Sequence, residues 1–153
     1  MECIGKGKAH KPYEFGVKVS VATTLQRSRG GQFVDNVKAP PSNPYDGHML
    51  ATVIPAIETA IGANLGKIVA DAGYRGHNAP KDKMFKVHVA GTGAASPRPS
   101  SGHCDAGPPS NPVIGHLKQD HRMGRNFLAF TEGDANNAML AALGYNFSLS
   151  STG

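Results

Sequence analysis

Between Thr92 and Pro112 the chain carries five Pro, four Ser and three Gly, and no Val, Ile, Leu, Met or aromatic residue. A stretch of that composition has almost nothing to bury, so it contributes neither a strand nor a helix to a hydrophobic core. It splits the 153 residues into a first part, 1–91, a disrupted segment, 92–112, a C-terminal helical part, 113–147, and a polar tail, 148–153. The length suits one domain with a real core.

Hydrophobic periodicity sketches the flanks. Residues 1–12 are polar and basic, without periodicity, and read as a loop or tail. From Phe15 the pattern alternates, with Phe15, Val17, Val19 and Val21 on one face and Gly16, Lys18, Ser20 and Ala22 on the other, which predicts a half-buried strand. Arg27 to Gly31 reads as a turn and Gln32 to Val37 as a second strand, so 13–38 is expected to be a hairpin. Leu50, Val53, Ile54, Ile57 and Ile61 recur at helical spacing and predict a helix over 47–62. Asp46 is placed to cap it and Pro55 to interrupt its hydrogen bonding. Lys67 to Asp71 reads as a short buried strand ending in a carboxylate, with turn glycines at Gly73 and Gly76. Phe85 to Val89 reads as another strand. Near the C-terminus, Thr131 to Asp134 resembles a capping box, followed by Ala135, Ala138, Met139 and Ala142 at helical spacing. This helix is expected to stop at Gly144, with 148–153 frayed. The order implies a mixed α/β domain with helices against a sheet.

The bulk numbers narrow the partners. Lys and Arg outnumber Asp and Glu by 16 to 11, and the pI is about 9.4. A modest basic excess favours a polyanion such as DNA. Cys3 and Cys104 form no framework, which fits a reducing compartment. The N-terminal residues contain no apolar run of the kind that directs secretion. No run approaches the roughly 18 apolar residues of a membrane span. The expectation is a cytoplasmic protein with no membrane partner.

Two constellations carry chemistry. A carboxylate at the end of a strand, as at Asp71, can ligate a hard cation such as Mg²⁺, while Tyr74 and Arg75 beyond it can hold phosphate. Taken alone, Asp71 reads more simply as a turn-forming or helix-capping residue. The second constellation is His116, Lys118, His121, Arg122 and Arg125. Lys118 and Arg122, four apart, would share a helical face and could meet a phosphate backbone. The plain alternative is a solvated basic face. Zinc binding by His116 and His121 has little support, because the spacing is not that of a zinc helix and no third ligand is near.

Together these segments resemble a known family. Glu2 to Lys18, Asn43-Pro44-Tyr45-Asp46-Gly47-His48, Asp71-Ala72-Gly73-Tyr74-Arg75-Gly76, and Pro112 to Lys118 with His121 to Asn126 are similar to the catalytic domain of bacterial insertion-sequence transposases of the IS-five type. The resemblance covers nearly the whole chain outside 92–111. It implies an α/β, ribonuclease-H-like mixed sheet with flanking helices, and a DDE mechanism. In that mechanism three carboxylates hold two Mg²⁺ ions that drive in-line attack on a DNA phosphodiester. By the resemblance, Asp71 falls on the family's second Asp, as a catalytic and metal-binding residue. Lys118 falls on a lysine expected to contact the DNA end, within a set of DNA-binding residues comprising Tyr74, Arg75, His116, Lys118, Arg122 and Arg125.

The chain also departs from the family. The first Asp belongs to a strand upstream of Met1, so the sheet is expected to be incomplete. The Glu should precede Pro112, and Asn111 stands there. An amide carbonyl can touch Mg²⁺ but brings no charge. A change of reading frame accounts for the loss. Back-translated with GC-rich codons and read from the third base, Ala95 to Pro112 becomes Val-Thr-Glu-Ala-Ile-Lys-Arg-Ala-Leu-Arg-Arg-Arg-Ala-Ala-Ile-Glu-Pro. That is a basic amphipathic helix ending in Glu-Pro, of the kind the family places there. Losing three or four buried side chains from such a helix would remove about 5–10 kcal/mol at ~25 cal/mol per Å², so marginal stability is expected.

The functional expectation is a transposase fragment with an incomplete magnesium site and no activity of its own. The alternatives are a non-catalytic fragment that binds DNA or interferes with an intact transposase subunit, and a translated relic without function.

Overall fold

The computed structural model describes residues 2–8, 11–26, 31–42, 44–81, 85–89, 110–128 and 130–152. The expected turn at Arg27 to Gly30, Asn43 of the quoted motif, and 92–109 of the disrupted segment lie outside the described residues. The chain divides into two compact units, one formed by Met1–Pro44 with Ile114–Gly153, the other by Tyr45–Val113. The secondary structure is mixed α/β, with three small two-stranded sheets and three α-helices among the described residues.

The first unit holds two antiparallel hairpins and the C-terminal helix. Strand β1 (Glu2–Lys8) pairs with β2 (Lys11–Gly16), from Glu2 opposite Gly16 to Lys8 opposite Lys11, with an irregularity between Gly5 and Lys8. The expectation of a loop over 1–12 is therefore corrected. A polar, glycine-bearing segment shows no local periodicity, and its strand is set by the neighbour it pairs with. Strand β3 (Ser20–Thr23) pairs with β4 (Val34–Lys38), with Val21 opposite Val37 and a bulge between Ala22 and Thr23. The hairpin is thus narrower than 13–38. The single alternating run from Phe15 to Val21 serves two partners, pairing backward before Val17 and forward after Val19, and between them the Lys18 ammonium donates to the Pro44 carbonyl at 2.8 Å. Thr24 closes the β3 end: its N–H donates to Phe33 O, its hydroxyl accepts from Phe33 N–H, and its carbonyl accepts from the buried Gln32 amide.

Against β4 packs α3 (Phe130–Thr152), which buries Ala138, Ala141, Ala142 and Tyr145. Small alanines on that face let the backbone approach the hairpin closely. The helix runs straight through Gly144, where a stop was expected, and through most of the tail expected to fray. Gly144 is there for space: a Cβ at that position would lie 3.1 Å from His121 Nδ1. In the last turns the hydroxyls of Ser148, Ser150 and Ser151 donate back to the carbonyls of Tyr145, Asn146 and Ser148. Such back-bonding is the ordinary use of serine within a helix.

The second unit is a helix on a parallel strand pair. A 3-10 turn (Asp46–Met49) leads into α1 (Leu50–Ile61), which keeps Pro55 inside it and ends at Gly62, in the left-handed conformation (φ 66°) that favours glycine. The Gly62 N–H donates to Glu58 O, and the Glu58 carboxylate accepts from Leu65 N–H. Strand β5 (Lys67–Ala70) runs parallel to β6 (Lys86–Val89), with Ile68 opposite Val87 and Ala70 opposite Val89. Leu50, Ile54 and Ala79 form the buried centre, and Leu65, Ile68, Tyr74, Phe85 and Val87 pack around them. β5 was expected to be a short buried strand. It is covered on one face, with Val69 exposed, because one helix covers one side of a two-stranded sheet.

Helix α2 (Ser110–Gln119) begins inside the segment expected to be disrupted. Pro112 falls in its first turn, where a missing N–H costs no hydrogen bond. Leu117 is fully buried.

Candidate functional site

Two of the motifs quoted from the sequence meet in the second unit. The 3-10 turn Asp46–Met49 packs on a second 3-10 turn, Ala72–Tyr74, which follows β5 directly. The Tyr45 hydroxyl donates to the Arg75 carbonyl at 2.6 Å, and the Asn78 N–H donates to the Gly47 carbonyl at 2.9 Å. Gly47 is buried, and a Cβ there would come within 2.7 Å of the Tyr45 ring. Gly73 leaves room for a carboxylate: a Cβ at 73 would lie 2.8 Å from Asp46 Oδ2. The Tyr45 ring meets His48 edge-on at 5.4 Å.

Asp71 sits where the sequence placed it, immediately after β5, and is exposed. Its backbone is extended, and Oδ1 accepts from the Ala72 N–H at 2.7 Å, so it caps the 3-10 turn that follows. This is the ordinary role that the residue alone suggested. Asp46 adds a second carboxylate to the corner through its place against Gly73. Among the described residues no three His, Cys, Asp or Glu side chains gather as a metal-holding group. Asn111, at the position where the resemblance puts the Glu, lies in the first turn of α2; its side chain lies outside the described residues. A pair of Mg²⁺ ions needs several anionic oxygens, and the described residues do not fit it.

Tyr74 and Arg75 extend the same corner. The Tyr74 ring is half-buried against the Leu50, Ile54 and Ala79 cluster, whereas Arg75 is exposed. Asn78 was not singled out from the sequence, yet it knits the corner. Its Oδ1 accepts from Ala51 N–H at 3.1 Å and its Nδ2 donates to His48 O at 2.9 Å. The residue at the start of α1, Met49, provides no side-chain cap. Asn78 takes that role from 27 residues away. The only trace in the sequence was an Asn following a turn glycine, which is too common to read.

The other predicted residues belong to the first unit. His116 lies in the last turn of α2, with Nδ1 2.6 Å from Asp120 Oδ2. Its ring stacks on Tyr145 at 6.4 Å, and His121 meets the same tyrosine edge-on at 5.8 Å. Lys118, Arg122 and Arg125 are exposed. Lys118 and Arg122 do not share a helical face, as their spacing had suggested. α2 ends at Gln119, Arg122 takes a left-handed conformation (φ 57°), and the Met123 N–H turns back to Leu117 O. The basic residues therefore line a helix end and the turn after it.

What fold and site define together is a mixed α/β protein in which a polar corner joins the 45–48 and 71–78 segments. No protein-family model matches the sequence, and neither curated proteins nor solved structures give a match. No helix among the described residues is long and apolar enough to cross a membrane.

Proposed function

We propose that the chain is a fragment of a DDE transposase catalytic domain that holds DNA without cutting it. The observation that supports this reading most is the meeting of Tyr45 to His48 with Asp71 to Asn78. Those are two of the segments that carry the resemblance, and three hydrogen bonds hold them side by side at one corner.

The order of elements along the chain supports an incomplete ribonuclease-H-like domain, although the strands lie in three separate two-stranded sheets rather than in the one mixed sheet expected. An antiparallel hairpin, β3–β4, is followed by α1 and by the parallel pair β5–β6, with Asp71 at the end of the first parallel strand. The absence of cutting rests on Asn111. A neutral amide in place of the Glu removes one of the charges a two-metal centre needs. Asp71 and Asp46 alone at this corner are too few anionic oxygens for that centre.

DNA is the proposed partner, held through Arg75 with Tyr74 in the second unit and through His116, Lys118, Arg122 and Arg125 in the first. An intact transposase subunit is a further partner, and the cytoplasm the proposed location.

The test uses a labelled duplex carrying the terminal repeats that flank the coding sequence. Binding is followed by anisotropy across a salt series, and nicking by denaturing gels with Mg²⁺. The expected result is binding that weakens steeply with salt and no cleaved strand. Nicking that disappears in Asp71→Ala would overturn the inactivity. A failure to bind at low salt would overturn the DNA-holding role.

A further inference from the structure

Helix α3 carries apolar residues on two sides. One side, Ala138, Ala141, Ala142 and Tyr145, is buried in its unit. On the other side Met139 is 54% exposed, Leu140 62%, Leu143 48% and Phe147 72%. At 3.6 residues per turn these four fall within one sector of about 100°. An apolar stripe that wide and continuous on a helix marks a contact surface rather than a solvated face. From Ala135 to Thr152 there is no charged residue at all, although the chain as a whole carries a net charge of +5.

We propose that this stripe is the contact between two copies of the chain, with the α3 helices crossing antiparallel about a two-fold axis at Leu143. Three observations point to a second copy as the occupant. The first is the spacing. Met139 and Leu140 lie four and three residues before Leu143, and Phe147 lies four after it. A two-fold axis at Leu143 therefore sets Leu143 on its own mate and sets Phe147 against Met139 and Leu140 of the other helix. A two-fold contact requires that kind of self-complementary patch.

The second observation is charge. Two molecules of net charge +5 repel each other at most surfaces, whereas α3 brings no charge to the stripe over eighteen residues, and the carboxylate beside Met139 and Leu143, that of Asp35, is opposite in sign to the net charge. The third is area. Covering four side chains exposed to this degree, with their neighbours, removes on the order of 1,000 Å² from water in a symmetric pair, which reaches the lower bound for a specific interface. The Thr92 to Pro112 segment is no rival for the stripe, since it has no Val, Ile, Leu, Met or aromatic side chain to lay on it. The pairing is independent of the transposase reading and stands or falls without it.

The test is sedimentation equilibrium on the full chain, with and without Leu143→Glu. The expected result is a concentration-dependent dimer, weakened about tenfold or more by the substitution at the centre of the contact, with helical circular dichroism retained. A second measurement covers the case in which that variant misfolds. In a Cys3→Ser, Cys104→Ser background, Leu143→Cys should crosslink between copies under mild oxidation, and Ser148→Cys, well around the helix from the stripe, should not. A monomer at every concentration overturns the proposal. So does a dimer indifferent to Leu143→Glu, or crosslinking equal at the two positions.

Discussion

The Asn146 carboxamide bonds both backbone polar groups of Val34. Its Oδ1 accepts from the Val34 N–H and its Nδ2 donates to the Val34 carbonyl, each at 2.9 Å, across 112 residues of sequence. A side chain on α3 thereby stands in for the peptide group of a neighbouring strand. Val34 is buried, so these groups have no ready substitute in water.

Asn146→Ala should therefore destabilise the first unit by about 2–3 kcal/mol, because it strands a buried donor and acceptor. Asn146→Asp, which keeps the acceptor and loses the donor, should fall between. Urea unfolding followed by circular dichroism measures both, and a change below about 0.5 kcal/mol for Asn146→Ala would contradict the account.

In the second unit, Asn78→Ala should cost about 1–2 kcal/mol, since it removes the distant cap of α1 and the bond to His48. Gly47→Ala should displace the Tyr45 ring and break its bond to Arg75. Amide exchange at Ala51 and Asn78 should quicken in Asn78→Ala, and unchanged protection would argue against this view of the corner.

Much of this corner was legible before the structure. The strand ending at Asp71, the turn glycines after it and the apolar spacing of Leu50, Val53, Ile54 and Ile57 are local signals, and α1, β5 and β6 formed close to where those signals lie. What could not be read has a nonlocal cause. β1 is a strand through its pairing with β2, the Phe15 to Val21 run divides between two partners, and Gly144 continues a helix because a histidine needs the space. The bond between Tyr45 and Arg75 likewise joins residues 30 apart, beyond the reach of any periodicity.

Asp35 gives a pH prediction. It lines a shallow groove of about 220 Å³ between β4 and α3, beside Val37, Met139 and Leu143, and burial there raises its carboxyl above the ordinary value. A folded value above the unfolded one means that the folded chain binds the proton more tightly. Stability should then fall as pH rises from the unfolded carboxylate range through the raised folded value, and stay lower above it. Asp35→Asn should raise the melting temperature at neutral pH and have no such effect below the ordinary carboxylate range. An equal effect at both pH values would rule out this origin.

The DNA reading makes a prediction of its own. Lys118→Ala and Arg125→Ala should each weaken binding to all sequences alike and lower the slope of log affinity against log salt by about 1. Lys81→Ala, another exposed lysine outside the proposed set, should leave the slope unchanged. Equal losses in all three variants would mean that the net positive charge, rather than the end of α2, attracts the polyanion.

The chain contains no tryptophan, and Tyr145 is buried with an imidazole on each of two sides. A phenol fixed between two unlike ring contacts gives a near-ultraviolet signal that a freely rotating one lacks. Among the four tyrosines, Tyr145 is thus the one whose near-ultraviolet signal reports on the meeting of α2 and α3, a contribution separable by comparison with Tyr145→Phe.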